Sequence, residues 1–69
     1  MNRGLTTEHE AEAESGRWIA EVCELGAMQH GETERLAILN AVSLALGVLE
    51  DKIQRGEATD EQLALVIAD

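Results

Sequence analysis

The residues best suited to metal or nucleophilic chemistry are His9, Cys23 and His30. On a helix Cys23 and His30 would share one face, but two ligands do not complete a tetrahedral zinc site, and the chain has no C-x-x-C or H-x-x-x-H spacing. Only symmetric pairing across a dimer would supply four ligands. The sequence therefore favours a buried thiol at Cys23 and a helix-end histidine at His30, with no metal and no other cofactor.

The same spacing argues against catalysis. A cysteine nucleophile needs a base within reach, and on one helix His30 would lie about 10 Å from Cys23, two turns along the axis. The chain contains no glycine-rich phosphate loop, and its acidic side chains would project from a convex helix surface and not into a cleft. We expect that this chain is not an enzyme.

Acidic residues form the strongest pattern in the first half of the chain. If residues 7–30 are helical, one narrow stripe at steps of four, three, four and three contains Glu10, Glu14, Arg17, Glu21 and Glu24. Such a stripe would imitate a row of phosphates and bind the basic face of a protein that handles DNA or nucleotides. Trp18, beside it, is either an interface anchor or a core residue. Alternatively, the acids suit the helix dipole and keep a small apolar protein soluble.

Charge and composition limit the classes of partner. The 69 residues carry a formal net charge of −9, with eight acidic and three basic residues in positions 1–35 and six acidic and two basic residues in positions 36–69. Nucleic acids and anionic membranes would repel this surface, whereas a basic protein would attract it. One cysteine cannot form a disulfide within the chain, and the N-terminus has no basic segment followed by an apolar one. We expect a cytoplasmic protein with no direct nucleic acid or membrane partner.

The element expected to organise the fold is the apolar stretch at residues 36–49, in which only Asn40 and Ser43 are polar. On helical spacing, a coiled-coil-like seam contains Leu39, Val42, Leu46, Leu49 and Ile53. A second apolar row lies beside this seam, so more than half of the helix circumference is apolar. One flanking helix cannot cover so much surface. We therefore expect a homodimer, with Val22 and Leu25 of the preceding helix completing the core.

The predicted fold is all-α, a single domain over residues 1–69 in which an antiparallel helical hairpin is followed by a short third helix. Helix 1 is predicted over residues 7–30, helix 2 over residues 33–55 and helix 3 over about residues 60–68. Two hairpins packed face to face would make a homodimeric helical bundle. A monomeric three-helix bundle is the competing architecture, and it would leave part of helix 2 exposed.

Caps and glycines mark the predicted helix ends. T-x-x-E and T-x-x-Q capping boxes begin at Thr7 and Thr59, and Thr33 precedes helix 2. Gly31 and Gly56 are placed to end helices 1 and 2. Three more glycines, Gly16, Gly26 and Gly47, would lie inside helices at a cost of about 1 kcal/mol each relative to alanine. They are either close approaches of two backbones or simply tolerated.

In length, charge and helix-hairpin layout, residues 7–69 resemble the small proteins with which bacteriophages disable host regulators, such as anti-CRISPR proteins and the phage anti-quorum-sensing protein. The latter is a small helical dimer that keeps a quorum-sensing transcription activator from DNA. The resemblance implies host takeover by binding, without a cofactor. It rests on architecture and supplies no functional residue.

The leading hypothesis is a dimeric inhibitor that docks on a host protein with a basic surface, such as a DNA-binding transcription regulator. The alternative is a structural or assembly module whose acids serve only solubility. A third reading is RNA binding, because a helix-hairpin dimer also resembles the plasmid copy-number regulator that binds paired RNA loops. That surface needs basic residues, and here the basic residues after the N-terminal arm are scattered among acids: Arg17, Arg35, Lys52 and Arg55.

Overall fold

The computed structural model describes residues 4–67 and shows an α+β fold. The elements are β1 Thr7–Ala11, β2 Trp18–Val22, β3 Ala27–Gly31, α1 Glu34–Gln54 and α2 Asp60–Ala64. The prediction of an all-α helical bundle is therefore wrong. The main error is helix 1, because residues 7–30 form strands and turns, whereas both later helices begin close to where helices were predicted.

The three strands form one antiparallel sheet in the order β1-β2-β3. The turn between β1 and β2 contains Gly16 at φ 72°, and the turn between β2 and β3 contains Gly26 at φ 63°. A left-handed backbone is easily adopted by glycine and rarely by other residues. These two glycines therefore reverse the chain, and neither lies inside a helix as predicted.

Alternation of side chains along β2 orients the sheet. Ala20 and Val22 are buried and Trp18 is packed against the same core, while Ile19 and Glu21 point to the opposite side. This period of two is the pattern of a strand with one buried face. Trp18 and Val22 are also four residues apart, and the same pair therefore fits a helix. The T-x-x-E pattern at Thr7 is consequently not a capping box, since Thr7 is the first residue of β1.

Helix α1 begins and ends at the predicted signals. The hydroxyl of Thr33 accepts a hydrogen bond from the Leu36 backbone N–H at 3.1 Å, and Gly56 follows the helix at φ 70°. The capping box of α2 is confirmed, with both the Thr59 and the Gln62 side chains bonded to backbone N–H groups. Helix α2 ends at Ala64, before the predicted end at about residue 68, and residue 68 itself lies outside the described residues.

The core lies between one face of the sheet and α1, and it consists mainly of alanines. Its buried residues are Ala20, Val22, Ala27, Ala37, Ala41 and Ala45. Leu5, Trp18, Leu25, Ile38 and Val42 pack against this cluster, and Leu49 of α1 is 2% exposed. Small side chains allow the helix to approach the sheet closely. The amide of Asn40 also donates a hydrogen bond to the His30 carbonyl at 3.0 Å, which joins α1 to β3.

Gly31 marks the closest approach of helix and sheet. It has no left-handed backbone, so it does not act as the predicted helix stop. A Cβ at this position would lie 2.7 Å from the Leu36 carbonyl carbon and 2.8 Å from the Ala37 Cα. Both neighbours are backbone atoms of the first turn of α1. Gly31 is therefore required because a side chain would push α1 off β3.

The predicted seam is divided between the core and solvent. Leu49 is buried and Val42 is half-buried, but Leu39, Leu46 and Ile53 are 47%, 50% and 40% exposed. The molecule is only 13 Å across its shortest dimension because a single helix covers the sheet. Within residues 4–67, no helix is sufficiently long and apolar to cross a membrane.

Candidate protein-binding site

The sheet surface that faces away from α1 presents three glutamates in a fixed cross-strand arrangement. We call it the outer sheet face, and its members are Glu8, Glu10, Ile19, Glu21, Met28 and His30. In the strand register, Glu8 lies opposite Glu21, which lies opposite Met28, and in the next row Glu10 lies opposite Ile19, which lies opposite His30. The sheet thereby brings three glutamates from two strands together around an apolar pair.

The charges on this face are not compensated within the sheet. Glu8 and Glu21 are direct cross-strand neighbours, and like charges in that arrangement are destabilising. None of the three strands contains Lys or Arg. The imidazole Nε2 of His30 lies 3.4 Å from Glu12 Oε1, beside the face, with both side chains more than one third exposed. The strand segments therefore present a negative field to solvent.

Two apolar side chains occupy the centre of the face. Ile19 is half-buried and Met28 is 50% exposed. Glu8, Glu10 and Glu21 line a shallow depression of about 250 Å³ together with these two residues. A flexible thioether in such a depression adapts readily to the shape of a partner. An apolar centre with a charged rim is also the usual layout of a protein interface.

The residues predicted to bind a partner do not share one surface. Glu10 and Glu21 lie on the outer sheet face, but Glu14 and Arg17 lie in or beside the β1–β2 turn and Glu24 lies in the turn after β2. Trp18 is half-buried on the α1 side, where its ring stands 6.0 Å from the ring of His9. A helical stripe cannot survive in strands, because successive side chains alternate between two faces.

Sequence reasoning missed Glu8, Ile19 and Met28 as members of this surface. The available signal was alternation: Glu8 and Glu10 share one strand face, as do Ile19 and Glu21. The Ser15-Gly16 dipeptide is also a turn signal between these two segments. Together these patterns would have placed the four residues on one side of a hairpin.

Glu24 has a structural contact of its own. The Thr6 backbone N–H donates a hydrogen bond to Glu24 Oε1 at 2.8 Å, and this bond lowers the pKa of Glu24 below its usual value. A carboxylate that accepts a backbone N–H is stabilised in its charged form. Glu24 therefore joins the turn after β2 to the residue before β1, and we do not include it in the outer sheet face.

The residues considered for metal or nucleophilic chemistry are separated by the sheet. His9 approaches Glu34, with Nε2 3.6 Å from Oε1, while Cys23 follows β2 and His30 lies on β3. Cys23 is exposed and is not the buried thiol predicted from the sequence. Partial desolvation, followed by the charges of Glu8, Glu21 and Glu24, raises the pKa of the Cys23 thiol. Among residues 4–67, no three such side chains are grouped as metal ligands.

Comparison with protein-family models, with curated proteins and with solved structures found no match for this chain.

Proposed function

We propose that this chain is an acidic protein-binding module that inhibits another protein by covering its basic, nucleic-acid-binding surface. The observation that carries the proposal is the outer sheet face. Glu8, Glu10 and Glu21 surround Ile19 and Met28, with no lysine or arginine in the three strands. A surface that binds nucleic acid presents lysine and arginine to phosphates. The three carboxylates, held at cross-strand spacing, present negative charges to which the same lysine and arginine side chains can bind in place of phosphates.

The expected division of labour within the interface follows from its geometry. The carboxylates guide the encounter with a cationic surface and fix its orientation, because complementary charge mainly raises the association rate. Ile19 and Met28 then lose solvent in the centre of the contact and slow dissociation. Glu8 and Glu21 repel each other in the free protein, and a cation placed between them would relieve that repulsion.

The proposed partner is a protein with a basic surface, such as a DNA-binding transcription regulator, and the proposed place of action is the cytoplasm. The resemblance to phage proteins drew on a helical hairpin, and residues 7–31 form a sheet instead. The proposal of host-protein inhibition therefore uses the charge and shape of the outer sheet face alone. It needs no cofactor and no catalytic group.

The first experiment captures partners from bacterial lysate with the tagged protein and identifies them by mass spectrometry. The matched comparison uses two variants with equal loss of charge. Glu8→Gln/Glu10→Gln/Glu21→Gln neutralises the outer sheet face, and Glu57→Gln/Asp60→Asn/Glu61→Gln neutralises three exposed acids near α2. We expect the first variant to lose a captured basic protein and the second to retain it. Loss should resemble that caused by high salt, which screens exposed charges.

The captured protein must then be shown to be inhibited. Its binding to labelled DNA or RNA is measured with and without this chain, and excess nucleic acid should displace the chain if both use one surface. Equal capture by the two triple variants contradicts the assignment of the outer sheet face. Simultaneous binding of nucleic acid and this chain contradicts inhibition by occupation.

The alternative function, an assembly module that joins subunits without inhibiting them, is favoured by exposed apolar residues on α1. Leu39 and Leu46 are each close to half exposed. Such a module would copurify with an oligomeric complex at both low and high salt, because apolar contacts are not screened. Salt-resistant capture that is unchanged by the outer-sheet-face variant would support this function instead.

A further inference from the structure

The buried core of the protomer consists mainly of small apolar residues, while many of its large apolar residues are exposed. Five of the seven buried hydrophobic residues are alanines, while eight large apolar side chains are at least 39% exposed. Five of those eight lie on α1: Leu36, Leu39, Leu44, Leu46 and Ile53. Exposed apolar surface of this extent usually marks an interaction site. One side of α1 therefore lacks the cover that the sheet supplies on the other.

Four of these residues lie in one continuous row. We define the outer helix face as Leu36, Leu39, Ser43, Leu46, Glu50 and Ile53, all of which are exposed. The steps between them are three and four residues, the spacing at which side chains of one helix pack against a second helix. The row extends over about 26 Å at the helical rise per residue. It lies on the side of α1 turned away from Ala37, Ala41 and Ala45 of the core.

We propose that a second copy of this chain covers the outer helix face, with the two α1 helices packed antiparallel about a two-fold axis. The spacing of the row is self-complementary. With the axis between residues 44 and 45, Leu36 of one copy meets Ile53 of the second, and Ser43 of one meets Leu46 of the second. The two remaining members are Leu39 and Glu50, and Leu39 of each copy meets Glu50 of the second. A two-fold interface needs such a self-complementary patch.

Charge decides between the antiparallel and the parallel arrangement. With this axis Arg35 lies opposite Gln54 of the second copy, one helical turn from Glu50, so its long side chain can reach the Glu50 carboxylate, and the two-fold axis repeats the pair. Parallel packing would instead place Glu50 against Glu50 and Arg35 against Arg35. The opposite charges of Arg35 and Glu50 therefore favour the antiparallel dimer. They counteract the repulsion between two copies that each carry a net charge of −9.

The residues after α2 extend the same patch. Val66 is 54% exposed and lines a depression with Leu46, Leu49 and Ile53. Antiparallel packing places the Leu36 end of the second copy close to this depression. The dimer would consequently bury apolar surface from α1 and from the segment after α2 in each protomer, and most of the large exposed side chains would be removed from water.

The arrangement has a consequence for the shape of the assembly. Each sheet lies on the far side of its own α1, so the order of layers would be sheet, helix, helix, sheet. Both outer sheet faces would point away from the dimer in opposite directions. The dimer does not depend on the proposed inhibitory function, but it would present two identical acidic surfaces and bind a multimeric partner with avidity.

The test measures mass by sedimentation equilibrium over a concentration series, because a dimer of a 7.5 kDa chain dissociates on dilution. Leu46→Glu places a charge in the middle of the outer helix face, and Leu44→Glu places the same charge at an exposed leucine outside it. We expect Leu46→Glu to weaken dimerisation by at least about tenfold, since the charge would be buried against Ser43 of the second copy. Leu44→Glu should dimerise like the unaltered chain.

A second variant keeps the test valid if Leu46→Glu does not fold. Circular dichroism shows whether Leu46→Glu still folds, and if it does not, Ser43→Arg replaces it because Ser43 is exposed in the protomer. An unaltered chain that stays monomeric throughout the concentration series overturns the proposal. Equal dimerisation by Leu44→Glu and by the folded outer-face variant also overturns it.

Orientation is tested by cross-linking in a Cys23→Ser background. Chains carrying Leu36→Cys are mixed with chains carrying Ile53→Cys and treated with a short thiol-specific cross-linker. The antiparallel dimer predicts a cross-link between the two kinds of chain and little between chains of one kind. Efficient cross-linking of each variant to itself would show a parallel dimer and contradict the arrangement.

Discussion

The outer sheet face and the outer helix face differ in the kind of surface that they present. The outer sheet face has three glutamates around Ile19 and Met28, whereas the outer helix face has four large apolar side chains and one glutamate. Both exist because one helix covers one side of a three-stranded sheet and leaves the far side of each layer open. In a molecule this thin, most side chains are near solvent, and the two open sides can serve different partners.

The largest expected effect comes from separating the two layers that carry these faces. In Gly31→Ala, the new methyl group would meet the backbone of Leu36 and Ala37, and α1 would have to move away from β3. Overpacking against backbone atoms should lower the free energy of unfolding by about 3 kcal/mol. Urea denaturation followed by circular dichroism measures this change.

Gly47→Ala is the matched control for that substitution. Gly47 lies inside α1, and a Cβ there would have no heavy atom within 4 Å outside the helix's local backbone. Alanine should raise the free energy of unfolding by about 1 kcal/mol, the difference in helix propensity. Similar effects of the two substitutions would mean that helix and sheet do not approach at Gly31.

A smaller change in the free energy of unfolding is expected when an acid of the outer sheet face is neutralised, because these acids reduce stability. Glu21→Gln removes the repulsion between Glu8 and Glu21 and should raise the free energy of unfolding by about 0.5 kcal/mol. The same substitution should weaken capture of a basic partner. Glu10→Gln is the comparison, because Glu10 faces Ile19 and has no opposing acid. An equal gain from both variants would point to a general charge effect.

The pH dependence of stability should distinguish Glu24 from the acids of the outer sheet face. Because the Thr6 N–H lowers the pKa of Glu24, its ionised form favours the folded state. This contribution is present above the usual glutamate pKa and is lost as the pH falls through the lowered value. Unfolding measured over acidic pH should therefore show a shallower decline in Glu24→Gln. A carboxyl resonance of Glu24 that titrates at or above the usual value would contradict the bond.

The mildest prediction uses Cys23 as a probe of the field near the outer sheet face. Because its pKa is raised, the thiol should react with iodoacetamide more slowly in the folded chain than in the chain unfolded by urea. Added salt should increase the folded rate by screening Glu8, Glu21 and Glu24. The Glu8→Gln/Glu10→Gln/Glu21→Gln variant should react faster than the unaltered chain. A folded rate that is insensitive to both changes would argue against a strong local field.

The second half of the fold follows closely from local signals, whereas the first half does not. Thr33, Gly56 and the Thr59–Gln62 capping box locate α1 and α2 because their side chains act on backbone groups a few residues away. In residues 7–31, the four-residue spacing of Trp18 and Val22 satisfies both helix and strand. The glycines decided the outcome, since Gly16 and Gly26 turn the chain at about ten-residue intervals.

The candidate surface was predictable in composition but not in geometry. The sequence alone gives the strong negative charge, predicts a basic partner and selects Glu10 and Glu21. Glu14, Arg17 and Glu24 do not lie on the outer sheet face, because they share a face with Glu10 and Glu21 only on a helix. Glu8 belongs to the surface because it is paired with Glu21 across two strands, and such a pairing is not a local property.

By itself, the amino-acid sequence determined the charge, the position of α1 and the excess of apolar surface on that helix, because these depend on composition and on contacts within a few residues. Only the tertiary structure decided that residues 7–31 form a sheet, that Gly31 meets α1, and that alanines fill most of the core while several leucines of α1 stay exposed. The physical reason is that strand pairing and helix-to-sheet packing join residues distant in the chain. A short segment whose apolar pattern fits both a helix and a strand adopts the structure that these distant contacts stabilise.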